Sequence, residues 1–175
     1  MKIKIISELR DEEALLAIAK ALRETYVKEV EIEISSNLVG EEFFNPSRGQ
    51  YDAWKIVQYY RKILHDEAYT LLVTDKDLYA AGLNFVFGLA WRGVAVISSC
   101  RLRQEFYGYP PDRELFLERI VKEAVHEVGH LHGLTHCKDK SCVMAFSNSI
   151  LDTDRKTHKL CKKCLTKLRL GGVLR

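Results

Sequence analysis

Three observations predict an α/β fold, a single domain over residues 1–175 with helices packed on a mixed β-sheet. Short apolar runs alternate with segments of helical periodicity, in the order β-α-β-α-β-β-β, before a long amphipathic segment and a final basic one. At 47% apolar residues, a chain of 175 can bury one core. No repeat or low-complexity stretch interrupts it.

Ile3 and Ile5 alternate with Lys2 and Lys4, which predicts a strand over residues 2–7. Residues 11–26 carry Leu15, Leu16, Ile18, Ala19 and Leu22 at helical spacing. Val30, Ile32 and Ile34 alternate with Glu31, Glu33 and Ser35, so residues 30–34 read as a strand with one wet face. Asn45-Pro46-Ser47 and Gly49 make residues 36–48 a loop. A helix follows over residues 51–64, with Trp54, Val57, Tyr60 and Leu64 as its inner face and Ile56 and Ile63 beside it. Residues 69–74 read as a buried strand, and residues 84–90 and 94–99 as two more, joined through Trp91-Arg92-Gly93. Pro110-Pro111 then stops the chain, and Asp112 is placed to cap a helix. Phe116, Leu117, Ile120, Val121, Ala124, Val125, Val128 and Leu131 form one stripe of that helix, and Gly133 suits the left-handed residue that ends it. A basic helix is expected over residues 161–170.

With 27 basic and 24 acidic side chains the net charge is only +3, which by itself predicts neither a nucleic-acid nor a membrane partner. The apolar run in Met1–Ser7 is too short for a signal peptide and is broken by lysines. No apolar stretch approaches the ~18 residues of a membrane span. The expectation is a cytoplasmic protein, monomeric, in a compartment that keeps thiols reduced.

His126-Glu127-Val128-Gly129-His130 places two histidines four residues apart on one helical face, so their imidazoles can meet one metal. Glu127, one residue off that face, can reach the open side of the metal and accept a proton from a bound water. His136 lies three residues past Gly133, and glycine permits the sharp turn that would return it as a third ligand. A site that binds zinc without turnover uses the same three histidines and stays open at this point. His132, two residues from His130, points elsewhere and is expected to face solvent; His65 and His158 are expected to be ordinary surface residues.

Cys137 and Cys142 form one close pair, Cys161 and Cys164 another. Two thiolate pairs supply the four ligands of a closed, tetrahedral structural zinc site, which would pin the loop after His136 to the last helix. Four unligated thiols are the plainer alternative. Cys100, at a strand end, is expected to be a lone core thiol.

The string His126-Glu127-x-x-His130-x-x-Gly133-x-x-His136-Cys137-x4-Cys142-x-Met144, followed by Cys161-x-x-Cys164, resembles the archaemetzincins, zinc peptidases of the metzincin clan. The resemblance covers about the last quarter of the chain, while Phe85 to Ser99 looks like the sheet segment before the active-site helix. It implies a metzincin-like domain, with a twisted mixed sheet, an active-site helix and a C-terminal helix. Met144 is implied to be the Met-turn residue, a soft floor under the three histidines. Two zinc ions per chain are implied, one catalytic and one structural, with a peptide or protein as substrate and an aminopeptidase or small-peptide peptidase as the activity. The competing class is a catalytically silent zinc-binding module. In it the basic run Arg155 to Cys164, with Lys167 and Arg169, would bind protein or nucleic acid, the plainer alternative being a solvated helix face. The near-neutral chain and the lack of interleaved aromatic residues weigh against nucleic acid.

Overall fold

A computed structural model describes residues 1–64 and 67–173. Strands β1 (Lys2–Ser7) and β2 (Val30–Ile34) pair in parallel, and the helix between them is α1 (Glu12–Tyr26). Asp11 caps α1 by accepting from the Ala14 N–H at 3.1 Å. Two short strands, β3 (Phe44–Asn45) and β4 (Gln50–Asp52), precede α2 (Ala53–Ile63). Then come β5 (Ala68–Thr74), β6 (Leu78–Tyr79), β7 (Gly88–Trp91) and β8 (Val94–Ser98). Helices α3 (Arg113–Leu131), α4 (Ile150–Arg155) and α5 (Lys162–Val173) complete the chain.

The main sheet has the order β2-β1-β5-β8-β7; its first four strands are parallel and β7 runs antiparallel to β8. The period of two along each strand sorts the core. Ile3, Ile5, Leu71, Val73, Ala95 and Ile97 face α1 and α3. Ile6, Leu72, Val94 and Val96 face α2 on the other side. The central β5 and β8 are buried on both faces, which is why they read as unbroken apolar runs. Fully burying one such Leu or Ile contributes roughly 1.5–3 kcal/mol.

Several expectations need correction. Ile32 and Ile34 are 37% and 43% exposed, because β2 is an edge strand and only Val30 reaches the core. On α2 the buried residues are Ala53, Ile56 and Val57, while Trp54 and Ile63 are exposed. Apolar side chains surround most of this helix, so composition did not choose the face. Trp54 instead packs edge-on against Trp91 at the sheet rim. Residues 84–87 are not strand; only Val86 makes a lone bridge, to Leu78. The expected loop over 36–48 holds a 3₁₀ turn at Glu41–Phe43 and β3, part of a three-stranded sheet β3-β4-β6. Helix α4 was not foreseen. His65 lies outside the described residues. No helix among the described residues is long and apolar enough to cross a membrane.

Candidate active site

Asp112 starts α3 by accepting from the Leu115 N–H at 3.1 Å, and the helix runs 19 residues under the sheet. Its apolar stripe fixes the rotation, so His126, Glu127 and His130 fall on the side facing a cleft below β7. Gly133, at φ 88°, turns the chain out of the helix. Leu134 N donates back to Gly129 O at 3.0 Å, and His136 returns beside the other two histidines.

One nitrogen from each of His126, His130 and His136 lies within 4.8 Å of the others. His126 Nδ1 contacts Val143 O at 2.7 Å and His130 Nδ1 contacts Leu134 O at 2.8 Å. A carbonyl only accepts, so each Nδ1 carries the proton and each Nε2 turns its lone pair inward. The two Nε2 atoms are 3.2 Å apart. Burial lowers the pKa of all three rings, most strongly at His126, and Lys156 adds to the effect. Neutral imidazoles with converging lone pairs fit a divalent metal of the zinc type.

Glu127 is buried beside this cluster, and no hydrogen bond from the described residues reaches its carboxylate. Burial, then the neighbouring Glu123, push its pKa well above the ordinary carboxylate range. A carboxyl so placed is poised to take and return a proton. The cleft has a volume of about 530 Å³ and is lined by Phe85, Phe87, Leu89 and Phe146 among others, with both glutamates and the three histidines at its floor.

The second cluster stands as expected: the sulfurs of Cys137, Cys142, Cys161 and Cys164 lie within 4.8 Å of one another. Backbone N–H groups point at them, from Met144 and Cys161 to Cys142 Sγ (3.4 Å each) and from Cys164 to Cys161 Sγ (3.5 Å). The Cys164 N–H holds the Cys161 thiol down at about 7, while burial pushes Cys142 and Cys164 up. Four convergent sulfurs cradled by amides suit a structural zinc. Met144 is fully buried against the α3 backbone between His126 and His130, where Gly129 makes room for its sulfur.

Other residues depart from expectation. His132 does not face solvent; it stacks on Tyr26 at 4.3 Å, with Tyr69 edge-on at 4.8 Å, and its Nδ1 contacts Val128 O. It stays out of the metal cluster, as does exposed His158. Cys100 is half-buried in a 3₁₀ turn, not in the core. Lys156, read as part of an exposed basic run, is completely buried behind His126. Nothing in that run marks it. Glu123 did carry a signal: it stands one helical turn before Glu127.

The fold and the paired clusters define a class, the metallohydrolases that set a histidine triad and a buried glutamate at the edge of a mixed sheet. The model of Peptidase family M54 matches residues 5–170. The archaemetzincin of Saccharolobus solfataricus is 42% identical over 171 residues, spanning 96% of this chain and 93% of that one. That of Methanocaldococcus jannaschii is 48% identical over 132 residues, 74% of this chain and 72% of the other. The crystal structure of archaemetzincin from Methanopyrus kandleri superposes with a TM-score of 0.86 at 36% identity, covering 100% of this chain and 96% of that chain. A zinc-dependent peptidase from Methanocorpusculum labreanum gives 0.84 at 33% identity, over 95% and 99%. The chain belongs to peptidase family M54, the archaemetzincins, and by family and donor set it is a zinc-dependent metallopeptidase.

Proposed function

We propose that His126, His130 and His136 hold the catalytic zinc, that Glu127 is the general base, and that Cys137, Cys142, Cys161 and Cys164 hold a structural zinc. The observation that carries this is the convergence of three imidazoles, two of them with Nε2 turned inward, beside a buried, unpaired carboxylate. Bound there, zinc supplies Lewis acidity that acidifies a water and polarises a carbonyl. Glu127 takes the proton of the attacking water and passes it to the leaving amine. Burial keeps the imidazoles neutral, while Val143 O and Leu134 O accept the Nδ1 protons of His126 and His130 and so leave each Nε2 lone pair free. Met144 packs under the helix turn that carries two of the ligands.

The substrate reading is an extended peptide laid along β7. Ser98 N donates to Phe87 O at 3.0 Å, so Gly88 and Ile97 form a non-hydrogen-bonded pair. The N–H and C=O of Gly88 and Ala90 therefore turn to the open edge above the cleft, free to bond an added strand. An aminopeptidase would need a carboxylate for the substrate's α-amino group. Glu123 and Glu127 are the carboxylates lining the cleft, and Glu123 is already paired with Lys156. Cleavage within a short extended peptide is the reading this favours.

The test compares Glu127→Ala with His130→Ala for zinc content and for cleavage of a peptide library. Glu127→Ala keeps both zincs and loses about 10²–10⁴-fold in rate, whereas His130→Ala loses one zinc and all activity. Parental cleavage by Glu127→Ala would remove Glu127 from the mechanism.

A further inference from the structure

Lys156 has no part in the reaction as described, yet it reaches the heart of the site. It follows α4, and its side chain is 0% exposed. Its Nζ donates to Ala145 O at 3.1 Å, lies 3.5 Å from His126 Nδ1 and 3.8 Å from Glu123 Oε1. Glu123 is itself buried and accepts from Thr153 Oγ1 at 3.1 Å. A buried ion pair is a poor source of stability, since apolar residues of similar size often serve as well. Stability alone therefore does not explain an ammonium here.

The segment that Lys156 grips does explain it. Val143 O fixes the proton of His126 Nδ1, and Val143 is two residues before Ala145. On its far side this turn is tied to the cysteine region, by Cys137 N to Met144 O (2.9 Å) and Val143 N to Lys159 O (3.1 Å). On the side of α3, Lys156 ties it, with one hydrogen bond to the turn and its counterion on the helix. Lys156 Nζ and a protonated Nδ1 are both donors, so the ammonium does not bond the ring; Val143 O, which only accepts, keeps the proton on Nδ1, and Lys156 acts through the turn that carries Val143. We propose that Lys156, balanced by Glu123, is a positioning residue: it fastens the Val143–Ala145 turn to α3 and so holds His126 in the orientation and tautomer that bind metal. This rests on the reading of the histidines as ligands.

The experiment uses protein with zinc in the cysteine site and titrates cobalt(II) into the histidine site. Affinity, d–d absorption and melting temperature are recorded for the parent, Lys156→Met and the double variant Glu123→Gln/Lys156→Met. The single variant leaves a buried carboxylate uncompensated and should melt lower. The double variant should melt near the parent yet bind cobalt about 10–100-fold more weakly, with an altered d–d spectrum. Parental affinity and spectrum in the double variant overturn the proposal and leave Lys156 a mere core ion pair. Failure of the double variant to fold overturns it too, because Lys156 then serves the fold itself. If the parent binds no cobalt at the histidines, the ligand reading fails first.

Discussion

A methyl group at position 88 would stand 2.8 Å from Glu127 Cγ, 3.0 Å from its Oε1 and 2.7 Å from Val96 O. Only glycine lets β7 pass so close over the Glu127 side chain. Gly88→Ala should therefore displace the carboxylate without touching a metal ligand. The expected outcome is a loss in kcat of about 10²-fold, the usual result of an error near 1 Å at a reacting group. Zinc content should be unchanged, and overpacking should cost about 1–3 kcal/mol. Steady-state kinetics, zinc analysis and a melting curve together check it. The convergence of the three histidines and of the four cysteines was legible because metal-type clusters depend on spacing, and spacing is written in the sequence. Lys156 and His132 were not. A long or aromatic side chain goes where a cavity or a ring receives it, and Tyr26 and Tyr69, which receive His132, lie over sixty residues away in sequence.

Helix α3 announced itself through a cap, a stripe and a terminal glycine, and it carries the site. Strands β5 and β8 were equally plain, since burial on both faces leaves only apolar residues. Elements of two or three residues, such as β3 and β6, have no period to read. The seam between α1 and α3 is closed at one end by Arg113, whose guanidinium bonds both oxygens of Asp11 at 2.6 Å and Glu13 at 2.8 Å. These bonds to Arg113 hold the Asp11 carboxyl below its ordinary value. A lowered carboxyl contributes stability that is fully present above the unfolded-state pKa, near 3.9, and is lost as pH falls through the folded value. Melting temperatures from about pH 6 to about pH 3 should fall for the parent and fall less for Asp11→Asn, which keeps a cap but no charge. Equal slopes would mean the pair has no weight.

For the whole molecule, the cysteine cluster joins the segment after His136 to α5, the last helix. Cys142→Ser should lose the metal there and lower the melting temperature by roughly 5 °C or more, about 2 kcal/mol in a chain of this size. Calorimetry with zinc analysis decides it; an unchanged transition with full metal content would deny the cluster a structural role. His136 and Cys137 are neighbours in the chain, so one peptide bond separates the two ligand sets. Closing the sulfur cluster limits where His136 can wander, and leaving it open frees His136 from its two partners. The proposed ligand sets therefore predict a direction of assembly, in which the thiolates fill first and the imidazoles complete their set on a frame already closed. A newly made chain in scarce metal should then accumulate as a folded but idle species with one ion. Activity plotted against added zinc should lag through the first equivalent and rise only with the second.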